Sequence, residues 1–224
     1  MRVPKVLTPS ARADEQEAPD VVRRRRIVVA LTLVVGATVL AQTLAASPGS
    51  KRFYGFALAA AATWLVGSLV AGPLPSGRTL VAADQPRDLA GPVALGVAAF
   101  GFFVVASLVA RQIPGLDHAL RSVLHKADAG PRPVLIAVAV INGVGEEFFF
   151  RGALHTALNR YRPELLATVV YALVTVVTGN VALVVAAVVM GTVFTLERRA
   201  TRGILAPILT HITWSILMIV AFPR

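Results

Sequence analysis

Seven apolar runs, most of them about as long as a bilayer is thick, follow one another between residues 27 and 222. A helix needs about 20 predominantly apolar residues to cross a hydrocarbon core of roughly 30 Å. The chain therefore reads as an all-α, polytopic membrane helix bundle. The expected spans are 27–46, 53–71, 92–110, 133–158, 164–178, 181–196 and 203–222. The fifth and sixth are short and only Gly179 and Asn180 separate them, as in a tight helical hairpin or one bent, partly re-entrant unit, so the count is about seven with a range of six to eight. Composition agrees: 56% of the residues are hydrophobic and 15% charged, where soluble domains carry about 25% charged residues. The lipid bilayer is thus the first partner.

Three polar stretches punctuate the spans. Residues 1–26, with Asp14, Glu15, Glu17 and Asp20, read as a disordered cytoplasmic tail. Residues 72–91 form a polar connection, and 111–132 another that holds an amphipathic surface helix near 116–124. The chain divides into this tail, an N-terminal set of transmembrane helices and loops over 27–132, and a C-terminal transmembrane region over 133–224. Net charge is +10, but the basic residues gather at the ends of apolar runs and act as topology signals, so no nucleic-acid partner is expected. Arg23 to Arg26 directly before the first span place the N-terminus in the cytoplasm of a cell-membrane protein. Lys and Arg are about twice as frequent in the loops this orientation puts inside. The 20 apolar residues that follow exceed a signal-peptide core and read as a retained anchor. The absence of cysteine excludes disulfides, thiolate catalysis and Cys-based zinc sites. Nothing in the sequence sets an oligomeric state.

One run holds two adjacent carboxylates. Glu146 and Glu147 interrupt the apolar sequence 134–150, and Arg151 follows. A single carboxylate at mid-bilayer costs roughly 2.5–3.5 kcal/mol on insertion scales, so two require partners or a task. Glu147 and Arg151, four apart, share a helix face and should pair. A purely structural ion pair explains those two residues, but not Glu146, which points about 100° away round the helix. Asn142, one turn from Glu146, offers it a hydrogen bond. His155 lies near the end of this span and reads as interfacial; His118 and His125 read as exposed loop residues.

Counting about 1.5 Å per residue from the cytoplasmic ends, Glu147 and Thr175 lie about 16 Å deep and His211 about 12 Å. Three helices thus bring polar groups to one layer, expected to open towards the cytoplasmic half. A glutamate withdrawn from water can act as a general base, and imidazole or hydroxyl groups opposite it can hold a water or an oxyanion. That is the equipment of peptide hydrolysis. Zinc is the alternative, but with one histidine at this depth it would take both glutamates as ligands and leave no base, so no cofactor is expected. A transporter, with the layer as an ion site, finds no support in an inverted repeat.

The residues resemble the CPBP family (CAAX protease and bacteriocin-processing, or Abi) of intramembrane endopeptidases. Its first motif, Glu-Glu-x-x-x-Arg, is matched by Glu146, Glu147 and Arg151, with Gly152 following. Its third, His-x-x-x-Asn, is matched by His211, with Ser215 in place of asparagine. Gly203, Leu205 and Pro207 precede it in the family's spacing. The second motif, Phe-x-x-x-His, corresponds to Tyr171 and Thr175, so its histidine is replaced. The resemblance implies hydrolysis of a peptide or membrane-anchored protein near the cytoplasmic face. Glu146 would be the base, Glu147 and Arg151 its electrostatic support, His211 and Ser215 the oxyanion side, and Tyr171 and Thr175 supporting groups. The alternative is a catalytically weak or inactive relative that acts as a membrane binding, immunity or scaffold protein.

Overall fold

The computed structural model describes residues 18–74 and 89–222, and the described residues form helices. They are α1 (Pro19–Ala45), α2 (Lys51–Ala71), α3 (Ala90–Ala110), α4 (Pro114–Asp128), α5 (Arg132–Ala157), α6 (Pro163–Val176), α7 (Val181–Thr201) and α8 (Leu205–Val220). By length and composition α1, α2, α3, α5 and α7 can each cross a membrane, and α6 and α8 are shorter apolar helices. Outward-facing apolar side chains such as Val34 (67% exposed) and Val105 (63%) make sense only against lipid. This is a multi-pass membrane protein.

Local chemistry sets the helix boundaries. Ser50 accepts the Phe53 amide and starts α2; Asn180 accepts the Leu183 amide and starts α7, each satisfying a donor the helix leaves orphaned. Proline in the first turn opens α1, α4, α5 and α6, where its missing N–H is not needed. Gly179, at φ +64°, lets the chain reverse between α6 and α7 as a tight hairpin.

The sequence reading differs from this in two places. α1 begins at Pro19, so the last residues assigned to the tail are helical. Asp20 lies in the first turn, where a negative charge suits the helix dipole, while Arg25 and Arg26 donate to the carbonyls of Ala71 and Ala157 at the C-terminal ends of α2 and α5. α7 runs to Thr201, five residues past the expected end, and carries Glu197 inside the helix. The polar connection 72–91 and the tail lie mostly outside the described residues.

Packing places α5 at the centre, flanked by α2 and α8. α1 backs α2, α3 and α7 back α8, and α6 lies on α7. The α1–α2 contact is close: a Cβ at Gly36 would overlap the Trp64 ring, and one at Gly67 the Thr32 side chain. Trp64, Phe149 and Phe150 interlock with ring centroids 4.9–5.2 Å apart and form the core with Val29, Ala153, Leu154 and Ala167. α4 is amphipathic, as the sequence suggests. Lys126 donates to the Leu44 carbonyl at 2.8 Å and Asn180 to that of Ala119 at 2.9 Å, tying α4 to the ends of α1 and α7.

Candidate active site

The two glutamates sit where α5 changes its winding. Residues Glu147–Leu154 form a π-helix within the otherwise α-helical span, an arrangement that is rare and recurs at functional sites. Glu147 and Arg151 are both fully buried there. Arg151 Nη1 donates to Glu147 Oε1 at 3.2 Å, and His211 Nδ1 lies 2.9 Å from the same oxygen. Arg151 Nη2 donates to the Gly191 carbonyl at 3.2 Å, and its guanidinium lies 4.6 Å from the Tyr171 ring centroid and 5.0 Å from that of Phe194. Four helices therefore meet on one ion pair. Such close pairing is what a charge withdrawn from water requires.

Glu146 faces elsewhere, as the 100° offset requires. Its Oε2 accepts the Tyr171 hydroxyl at 2.7 Å. It lies on the wall of two cavities. A cavity of about 210 Å³ is lined by Glu146, Tyr171, Thr175 and His211 together with Trp64 and Met190. A second, of about 560 Å³, runs from Glu146 and Asn142 to His118 and Lys126 of α4 and to Gly179 and Asn180 at the α6–α7 turn. Water held beside Glu146 would thus have a carboxylate, a phenol and an imidazole around it.

His211 is held in a defined orientation. Its ring stacks on Phe194 at 4.7 Å with an interplanar angle of 19°, and Glu147 engages Nδ1. With Nδ1–H donated to the carboxylate, Nε2 is an acceptor in the neutral ring and a donor when the ring carries both protons.

Several expected contacts differ. The cavity from Glu146 runs to the α4 end, not to the arginine-rich end that the sequence reading calls cytoplasmic, because Trp64, Phe149 and Phe150 fill the other side. Counting residues gives a depth; it does not say which side of that depth is plugged. Thr175 is one residue from the end of α6 (14 residues), so a depth that looked central from one end is close to the other. Its hydroxyl donates to the Tyr171 carbonyl at 2.9 Å on its own helix. Asn142 donates to the Val138 carbonyl at 3.0 Å and not to Glu146. His155 lies near the end of α5, as expected, but is buried against the protein. Ser215 lines a separate, apolar cavity of about 710 Å³ between α3, α4, α7 and α8.

Two features escaped the sequence reading. The first is the Glu147–His211 contact, which joins α5 to α8. The second is Glu197, whose Oε1 lies 2.7 Å from Thr210 Oγ1, itself 2.9 Å from the Pro92 carbonyl. A carboxylate among Leu196, Arg198 and Arg199 looks like a helix-end charge until α7 is seen to continue past it.

Residues 128–217 match the family model described as "Rce1-like: Type II CAAX prenyl endopeptidase Rce1-like". This is a model of the CPBP family, and over these residues the chain is similar to that family. The matched stretch runs from the end of α4 through most of α8 and contains Glu146, Glu147, Arg151, Tyr171, Thr175, Glu197, His211 and Ser215. Neither the curated proteins nor the solved structures contain a match.

Proposed function

We propose that the protein is an intramembrane endopeptidase in which Glu146 activates water. The observation that carries this reading is the division of labour between adjacent glutamates: Glu147 is spent on Arg151 and His211, whereas Glu146 borders both cavities. Glu146 takes a proton from water as the water oxygen attacks the substrate carbonyl. Tyr171, which donates to Glu146, orients the carboxylate, and His211 with both protons donates through Nε2 to the oxyanion that forms. Collapse breaks the C–N bond, and the leaving nitrogen takes the proton held by Glu146. No metal enters this scheme: the donor atoms of Glu147 and His211 face each other beside a guanidinium, an arrangement that repels a cation.

The protein is a cell-membrane protein with seven spans, α6 and α8 crossing where the bilayer thins around them, and with its N-terminus in the cytoplasm. This orientation follows from the excess of Lys and Arg at the end that carries Arg23 to Arg26, Arg160 and Arg199. The cavity beside α4 then faces the opposite side of the membrane. The substrate is a peptide or membrane-anchored protein that reaches Glu146 from there.

A second reading, a family member that binds peptides without cutting them, is favoured by position 175, where a hydroxyl bonded to its own helix stands in place of an imidazole. Peptide cleavage in proteoliposomes separates the two. Glu146→Gln should lower cleavage about 100-fold or more, the range typical of a positioned acid–base group, with the protein still inserted. A protein that binds peptide but shows no Glu146-dependent cleavage, even with Thr175→His, supports the binding reading.

A further inference from the structure

The arginine run is not used up by topology. Arg25 is buried and donates to the Ala71 carbonyl; Arg26 donates to the Ala157 carbonyl at 3.4 Å and lies 5.2 Å from the centre of the Tyr161 ring. These two arginines fasten α1 to the carboxyl ends of α2 and α5, where carbonyls concentrate negative partial charge. Arg23 remains. It faces Arg160 across a cavity of about 450 Å³ between the start of α1 and the α5–α6 connection. Both are exposed, and neither forms an ion pair among the described residues. Like charges set round one hollow repel one another unless an anion lies between them.

The rest of the lining tells which kind of anion. Besides Arg23, Arg26, Arg160 and Tyr161 the cavity touches Pro19, Val22, Ile27 and Ala30 of α1. Ile27 is 51% exposed, and Leu31 and Val34 continue the apolar face up the same helix at 62% and 67%. A site with guanidinium groups at its floor and an apolar track leading one way along a membrane-spanning helix is itself amphipathic. Tyr161, 55% exposed, stands at the level where tyrosines favour the membrane interface. A free phosphate would use the guanidinium groups and leave the track bare.

We propose that this hollow binds the phosphate headgroup of an anionic membrane phospholipid, with one acyl chain along Ile27, Leu31 and Val34. Arg23 and Arg160 grip the phosphate oxygens, for which the planar, donor-rich guanidinium is suited. Arg26, positioned by Tyr161 and the Ala157 carbonyl, closes the third side. The lipid then lies against the end of α5, a turn beyond the π-helical segment.

The test is a titration of the purified protein in neutral detergent with dioctanoyl phosphatidylglycerol, bound lipid being counted by native mass spectrometry. Each basic residue near an anionic surface is worth about fivefold in affinity, so Arg23→Gln with Arg160→Gln should weaken binding by about 25-fold. The charge-matched pair Arg24→Gln with Arg199→Gln, at the same end but outside the hollow, should change it less than about threefold. Dioctanoyl phosphatidylcholine and inorganic phosphate should both bind much more weakly than phosphatidylglycerol. Equal losses in the two double variants would show a diffuse basic surface and overturn the site. Inorganic phosphate binding as tightly as the lipid would overturn the role of the apolar track. All four arginines are exposed, and unchanged thermal unfolding of both variants verifies that the fold persists.

Discussion

Replacing Arg151 by methionine should do far more damage than removing a helix-surface charge. On an exposed helix a Glu–Arg pair four residues apart contributes only about 0.2–0.5 kcal/mol. Here both members are fully buried and Arg151 also holds the Gly191 carbonyl and lies against two aromatic rings. Removing one partner of such a pair costs about 3–5 kcal/mol; here it leaves Glu147 with the His211 contact alone. The loss of two cation–π contacts adds about 1–2 kcal/mol. Arg151→Met should therefore destabilise the protein by about 4–7 kcal/mol on these two contributions. Combining it with Glu147→Gln should return about 1–4 kcal/mol, because no charge is then left unpaired. Reversible unfolding in mixed micelles, run as a double-mutant cycle, measures this directly. Additivity of the two single variants within about 0.5 kcal/mol would show that the pair is not coupled in the buried state, and the argument from burial would fail.

Gly145→Ala should destabilise strongly, because its Cβ would lie 2.8 Å from the Ala61 carbonyl oxygen of α2, whereas Gly143→Ala should be neutral or slightly stabilising, because its Cβ meets the His211 ring at 3.5 Å, an ordinary contact, and alanine favours the helix; thermal unfolding of the two variants checks the order. Tyr171→Phe removes the hydroxyl that Glu146 accepts at 2.7 Å and should lower both peptidase activity and stability, the latter by about 1.5–3 kcal/mol, as for a hydrogen bond to a charged group. Thr175→His should raise cleavage by about 10- to 100-fold if an imidazole at that position shares the proton, measured in proteoliposomes against Thr175→Ala. Because the chain has no cysteine, His118→Cys and Arg199→Cys can each be probed with a membrane-impermeant maleimide on intact cells. The proposed orientation requires labelling of the first and not of the second.

Five spans were legible because an apolar run that crosses the bilayer must match it in length, and caps such as Asn180 and breaks such as Gly179 are written in single residues. The carboxylate pair was legible for the same reason: charges at 146 and 147 conflict with their surroundings. What the sequence hid depends on which rows of side chains face each other. The π-helical winding at Glu147 has no residue signature, and it sets how Glu147 meets His211 on another helix. Thr175 looked central because its depth was counted from one end of a helix that proved to be only 14 residues long. Ser215 is one turn from His211 along α8, yet the helix carries it to a different cavity. Periodicity along one helix says nothing about the helix opposite.

The most direct test of the central claim is a single turnover in water enriched in heavy oxygen, followed by mass spectrometry of both the peptide product and residue 146. If Glu146 acts as a base on water, one heavy oxygen appears in the new carboxyl group of the product and none in the side chain of Glu146, and Glu146→Gln yields no product. Heavy oxygen in the Glu146 carboxylate would mean that it attacks the substrate itself, and cleavage that survives Glu146→Gln would remove it from the reaction altogether.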